Sequence, residues 1–155
     1  MADTSHFENR LGILIWKTSN FWQGSLRKIL NSYNLSLNEY LILQSLKYLS
    51  LKKTDIFQNQ IAELIGIDIS VTSVTLKLLE NKKYISREIK HDNRKKIIKI
   101  LKKGDDLYNL LYPMIEKEEE RLFNKLDNET FNFINSLKLL LGKKIRIKAK
   151  NINKV

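Results

Sequence analysis

Between residues 58 and 100 the spacing of apolar side chains changes character twice, and few folds accommodate that order. Ile61, Leu64 and Ile65 stand at helical spacing, and Gly66 follows, the residue type that most easily takes the left-handed conformation ending a helix. Ile67, Asp68 and Ile69 then make a tight turn, and Ser70 is expected to cap a helix running to about Lys82. From Tyr84 to Ile89 the period drops to two, as in a strand. His91 to Lys96 is rich in turn formers and cations, and Ile97 to Ile100 forms a second strand. Two short helices joined by a tight turn make a helix-turn-helix, a hairpin that also occurs in helical proteins of other kinds. A β-hairpin with a cationic tip directly after the second helix narrows the choice, because it supplies a wing.

Charge is sorted along the chain in the same way. The formal net charge is +11. An AT-rich genome enriches Lys, Asn and Ile whatever the function, so position says more than the total. From Lys82 to Lys103 there are ten Lys or Arg and two acids, Glu88 and Asp92, whereas 116–120 reads Glu-Lys-Glu-Glu-Glu. A basic block inside an alternating strand pattern suggests a surface built for a polyanion. There is no cysteine, which removes disulfides and thiolate chemistry. Only His6 and His91 are present, against the roughly four His or Cys ligands of a closed zinc site, so no metal and no cofactor are expected. Nor is an enzyme: the chain has no Gly-rich phosphate loop and no G-x-S-x-G. Ser86, His91 and Asp92 lie on one hairpin without an orienting shell, and Glu118, Glu119 and Glu120 are consecutive, so they point around a helix. No apolar run reaches the ~18 residues that span a bilayer, and the polar start with Asp3 and Glu8 does not read as a signal peptide. No membrane partner and a cytoplasmic location are expected.

The flanks are helical. Leu11, Leu14, Ile15, Trp22, Leu26, Ile29 and Leu30 give one long helix over 7–33. Ser36 and Glu39 fit a capping box for a helix to about Leu49, with Leu37 and Leu41 as its staple. Ile56 and Phe57 fit a short extra strand. Apolar spacing continues over 105–141, with a kink or break expected at Pro113, Asp127 as the cap of a last helix and Gly142 as its end. Residues 143–155 read as a basic tail. The expected architecture is one domain over 1–155, mainly α with a small β-hairpin wing (α+β).

This ordered set of motifs resembles the MarR family of transcriptional regulators. The likeness rests on Leu35–Leu43, on Ile61-Ala62-Glu63-Leu64-Ile65-Gly66-Ile67 beside the family's LAxxLGL, and on Leu79-Glu80-Asn81-Lys82-Lys83-Tyr84-Ile85 beside LExKGLI. Asp92-Asn93-Arg94 stands beside the wing's D-x-R, and Leu101-Lys102-Lys103-Gly104 beside LTxxG. The chain departs from the pattern at Lys83, where the family has Gly, at Phe57, where it has Thr or Ser, and in a recognition helix without Arg. The resemblance implies a winged helix-turn-helix lobe over 35–103, with long N- and C-terminal dimerisation helices at 7–33 and 105–141. It implies a homodimer with two recognition helices about 34 Å apart on a pseudo-palindromic site. It also implies a small aromatic or amphipathic effector, for which Trp16, Phe21, Trp22 and Tyr40 are the candidate pocket.

On the recognition helix, Ser70, Val71, Ser73, Val74 and Lys77 are the expected base-reading face. Valine methyls favour the thymine methyl, so an A·T-rich operator is expected. The competing arrangement puts Val71, Val74 and Leu78 in the core in place of Thr72, Leu76 and Leu79. Arg94 is expected in a narrow minor groove, oriented by Asp92. Arg87, Lys90, Lys95 and Lys96 are candidates for phosphate contacts, which position the protein without specifying sequence. The expected function is that of a sequence-specific regulator of transcription bound to double-stranded DNA, with repression the family's commoner mode. The alternatives are a non-specific nucleoid-type or RNA-binding protein and a winged-helix protein-interaction scaffold.

Overall fold

A computed structural model of the chain describes residues 4–53, 55–89 and 95–143. It contains two compact units, 1–118 and 119–155. The first holds α1 (Thr4–Glu8), α2 (Leu11–Asn31), α3 (Leu37–Ser50), α4 (Gln58–Ile65), α5 (Ile69–Asn81), β1 (Ile85–Ile89) and β2 (Lys96–Ile100). It also holds most of α6 (Lys102–Phe123). The second continues through a 3-10 segment, Asn124–Glu129, into α7 (Thr130–Leu140). No helix among the described residues is long and apolar enough to cross a membrane.

One apolar core organises the first unit. Leu26 and Leu30 of α2, Tyr40, Leu43 and Leu46 of α3, and Ile61 of α4 meet Leu76 and Leu79 of α5 there. Ile85 and Ile98 of the hairpin and Leu111 and Ile115 of α6 complete it. Tyr40 stacks on Tyr108, with ring centroids 5.9 Å apart. Burial of such side chains, about 1.5–3 kcal/mol each, is what holds short helices that would be marginal alone.

The capping box at α3 forms: Glu39 N–H donates to Ser36 Oγ at 3.1 Å, and Ser36 N–H donates to Glu39 Oε2 at 2.7 Å. The residues flanking it as a staple are Leu35 and Tyr40, both buried, instead of Leu37 and Leu41, because Leu37 is already the first helical residue. Glu39 Oε1 also takes the Lys82 ammonium at 2.7 Å, which ties the start of α3 to the end of α5.

Three expected features differ. The first long helix is broken at Asn9–Arg10, where Arg10 is extended and its N–H turns back to the Phe7 carbonyl. Ile56 and Phe57 form no strand, although the Ile98 N–H donates to the Ile56 carbonyl at 2.9 Å. A single such bond does not make a ladder. At Pro113, where a kink or break is expected, α6 continues without a break, and the Asn109 carbonyl has no proline N–H to accept from. Asp127 does not cap α7 with its side chain. It sits at φ 41°, and its carbonyl accepts from Thr130, so the helix starts two residues later than expected. Gly142 does close α7 in the left-handed conformation, at φ 67°.

The end of α5 carries a measurable strain. Tyr84 N–H bonds the Leu79 carbonyl at 3.0 Å and Lys83 N–H bonds that of Glu80 at 2.9 Å, a Schellman closure that needs a left-handed residue between them. That residue is Lys83, at φ 61°. A side chain there costs about 1–2 kcal/mol that glycine does not pay. Lys83→Gly is therefore expected to raise unfolding stability by about 1 kcal/mol, seen as a higher urea midpoint at unchanged slope.

Candidate nucleic-acid interface

The helix-turn-helix is built by two local devices. Gly66, at φ 76°, ends α4 with its N–H on the Ala62 carbonyl at 2.8 Å. Asp68 then starts α5: its carboxylate accepts from both the N–H and the hydroxyl of Ser70, each at 3.0 Å. The expected cap, Ser70, is thus the donor and Asp68 the cap, because the helix begins two residues earlier than expected, at Ile69. The backbone bond from Ser70, and then the hydroxyl bond, hold the Asp68 carboxyl below its ordinary value. The cap persists above that depressed value and is lost only as pH falls through it.

The choice between the two faces of α5 is settled by burial. Thr72, Thr75, Leu76 and Leu79 face the core. Their hydroxyls need no outside partner: Thr72 donates to the Asp68 carbonyl at 2.9 Å and Thr75 to that of Val71 at 2.8 Å. Ser70, Val71, Val74, Lys77 and Leu78 are exposed, and Ser73 is half-buried. Val74 is 63 % exposed, far from the core position that the competing arrangement required. A shallow groove of about 380 Å³ runs beside this face, lined by Ser36 and Asn38 of the α3 start and by Val71, Val74 and Leu78.

Beyond α5, β1 and β2 pair antiparallel, with Ile85 opposite Ile100, Arg87 opposite Ile98 and Ile89 opposite Lys96. Ile85 and Ile98 enter the core, while Ile89 and Lys96 stand exposed. Between the hairpin and the starts of α4 and α5 lies a groove of about 500 Å³ lined by Gln58, Asn59, Ile69, Arg87, Lys95 and Lys96, among others. Gln58 closes its floor by donating to the Ile69 carbonyl at 3.1 Å. Lys95 and Lys96 are exposed there. Arg87 is not a free surface cation. Its guanidinium donates from Nε at 2.9 Å and from Nη2 at 2.5 Å to one oxygen of Glu80. Lys90, His91, Asp92 and Arg94, expected at the wing tip, lie outside the described residues.

The candidate effector residues lie in different surroundings. Trp16 and Phe21 are exposed on α2, and Tyr40 is buried in the core against Tyr108. Trp22 lines an apolar groove of about 520 Å³ with Leu41, Gln44, Tyr48, Leu64 and Ile67. Aromatic spacing along one helix does not reveal which of its sides a neighbour covers. Two residues that hold these elements together went unmarked in the sequence. Asp68 was legible as an Asp two residues before a Ser at a helix start. Glu80 was not, because its partner lies across a helix-strand boundary where no period applies.

No protein-family model matches the chain. It is 25 % identical over 131 residues to the uncharacterized HTH-type transcriptional regulator YdcH of Bacillus subtilis, covering 84 % of this chain and 88 % of that one. Among solved structures it is similar to MepR of Staphylococcus aureus in complex with DNA. That likeness has TM-score 0.78 at 21 % identity, over 86 % of this chain and 97 % of the other. It is also similar to a MarR-family regulator from Rhodococcus sp. RHA1, with TM-score 0.74 at 18 % identity, over 88 % and 95 %. The chain therefore has the winged helix-turn-helix fold of the MarR family, as the resemblance of its motifs implied.

Proposed function

We propose, for a chain with this fold, a regulator of transcription that binds double-stranded DNA as a homodimer on an A·T-rich pseudo-palindrome, with repression as its mode. The observation that carries the reading is the division of α5, with Thr72, Leu76 and Leu79 locked inward and Ser70, Val71, Val74 and Lys77 presented outward. A helix anchored on one side and furnished with short polar and branched apolar groups on the other suits the major groove. Lys95 and Lys96 beside it supply charge for the phosphate backbone. The names of the relatives agree: one is an HTH-type transcriptional regulator and another was solved bound to DNA.

The exposed side of α2 supports a dimer. Its apolar stripe is continuous in sequence, yet Leu26 and Leu30 are buried in this chain's own core while Leu11, Leu14 and Ile15 are exposed. On α7, Ile134, Leu137 and Leu140 are exposed as well, as is Leu141 just past its end. Large apolar side chains left exposed at helical spacing are what an association surface would cover.

The reading of bases by methyl contact has its own consequence. Replacing thymine by uracil at a contacted position of the bound site removes one methyl group. Affinity should fall about fourfold per contacted methyl, from about 0.8 kcal/mol for a buried methyl-sized group. Titration of labelled duplexes at several salt concentrations tests the rest. Lys96→Gln should weaken binding to all sequences and lower the salt slope by about one, as expected when one phosphate contact is lost. Binding insensitive to salt, or absent, points instead to a protein-interaction scaffold.

A further inference from the structure

We propose that Glu80 is a positioning residue for DNA recognition: by holding Arg87 it fixes the wing against α5, and the pair governs sequence preference instead of serving as a phosphate contact. This rests on the DNA-binding reading given above. A duplex must meet α5 and the wing together, so the angle between them decides whether both engage. The base of the hairpin is fixed by Ile85 and Ile98 in the core. Farther out, Ile97 is still buried, and at the next pair Ile89 and Lys96 are exposed. Arg87 stands opposite Ile98, and its guanidinium reaches back to the last turn of α5.

The geometry suits a tether. Both Arg87 donors converge on Glu80 Oε2, and the Arg87 side chain is only 15 % exposed. Glu80 stands where α5 is rigid, since its own carbonyl accepts the Lys83 N–H of the helix closure. The bond from Arg87 holds the Glu80 carboxyl below its ordinary value, with help from the Arg87 and Lys96 charges and against partial desolvation.

Two simpler roles predict opposite results. If Glu80 acted only through its charge, removing that charge near a polyanion would strengthen binding to every sequence. If Arg87 were a phosphate contact, its loss would weaken every sequence alike and lower the salt slope by about 0.9. A tether predicts a loss confined to the preferred site.

The test compares the intact protein with Glu80→Gln, Arg87→Gln and the exchanged pair Glu80→Arg/Arg87→Glu. Each is titrated against a selected duplex and a random duplex over a range of salt, and amide exchange is followed in the free proteins. Glu80→Gln is expected to bind random DNA at least as well as the parent, while its preference for the selected duplex falls about tenfold, within the range of coupled contacts. Amides of Ile85–Ile89 and Lys96–Ile100 should exchange faster while those of α5 do not change, and the exchanged pair should recover much of both losses. Unchanged preference in Glu80→Gln overturns the proposal, as does equal weakening of both duplexes in Arg87→Gln with a reduced salt slope. If the parent protein prefers no sequence, the regulator reading fails by itself. Amide exchange then decides the tether alone, and unchanged hairpin exchange in Glu80→Gln overturns it.

Discussion

Gly104→Ala is expected to lower unfolding stability by about 3 kcal/mol, the upper end of ordinary overpacking. Gly104 lies in the first turn of α6 and is buried against the end of α5 and the start of β1. A Cβ there would overlap the Tyr84 carbonyl oxygen and come within 3.0 Å of its carbon and 3.1 Å of its Cα. All three are backbone atoms. They cannot swing aside as a side-chain tip would, because the Tyr84 N–H is fixed to Leu79 and its carbonyl accepts from Leu101 at 2.9 Å. The added methyl must push α6 away from the junction that sets the wing. A thermal midpoint lower by roughly 6–12 °C, at 2–4 °C per kcal/mol for a chain of this size, is the expected reading. Gly24→Ala in α2 is the internal contrast. Nothing lies within 4 Å of its Cβ position, and helix propensity alone should raise stability by about 0.5–1 kcal/mol.

Ile15→Glu is expected to convert the protein to a monomer and to weaken binding to a two-half-site operator on the order of 100-fold, while affinity for one half-site changes little. A dimer binds its second half-site at the effective concentration set by the first, which is worth about 10²–10⁴ in avidity. Ile15 is 47 % exposed in the stripe with Leu11 and Leu14, and it makes no part of the chain's own core. A carboxylate there would be desolvated only on association, so folding should be spared. Sedimentation at micromolar concentration reads the first effect, and titration of full and half operators reads the second. Retention of the dimer would place the association surface elsewhere.

The helical order, the turn at Gly66, the hairpin and the capping box of Ser36 and Glu39 were legible because each is a local pattern. Apolar period, a glycine that must adopt positive φ and a residue pair three apart all act within a few positions. The inward set of α5 was harder to read. Val71, Val74 and Leu78 are as apolar as their rivals, and Thr72 and Thr75 are polar by type. The threonines face inward because their hydroxyls bond carbonyls of their own helix, which leaves only methyl groups for the core. Ser70 reads as the cap, yet Asp68, two residues before it, takes that place. Pro113 reads as a kink or a break, and α6 continues through it without a break. Arg87 reads as a free cation in any charge count, and only the fold brings Glu80 to it. Lys90, Asp92 and Arg94 were candidates on sequence and lie outside the described residues.

The most direct test of the central claim is selection of bound sequences from a random duplex pool by the intact protein at about 150 mM salt, where non-specific binding is already weak. The account predicts enrichment of an A·T-rich inverted repeat with half-site centres about 10 base pairs apart. Salt-sensitive binding with no enriched sequence would contradict it and leave a general nucleic-acid binder in its place.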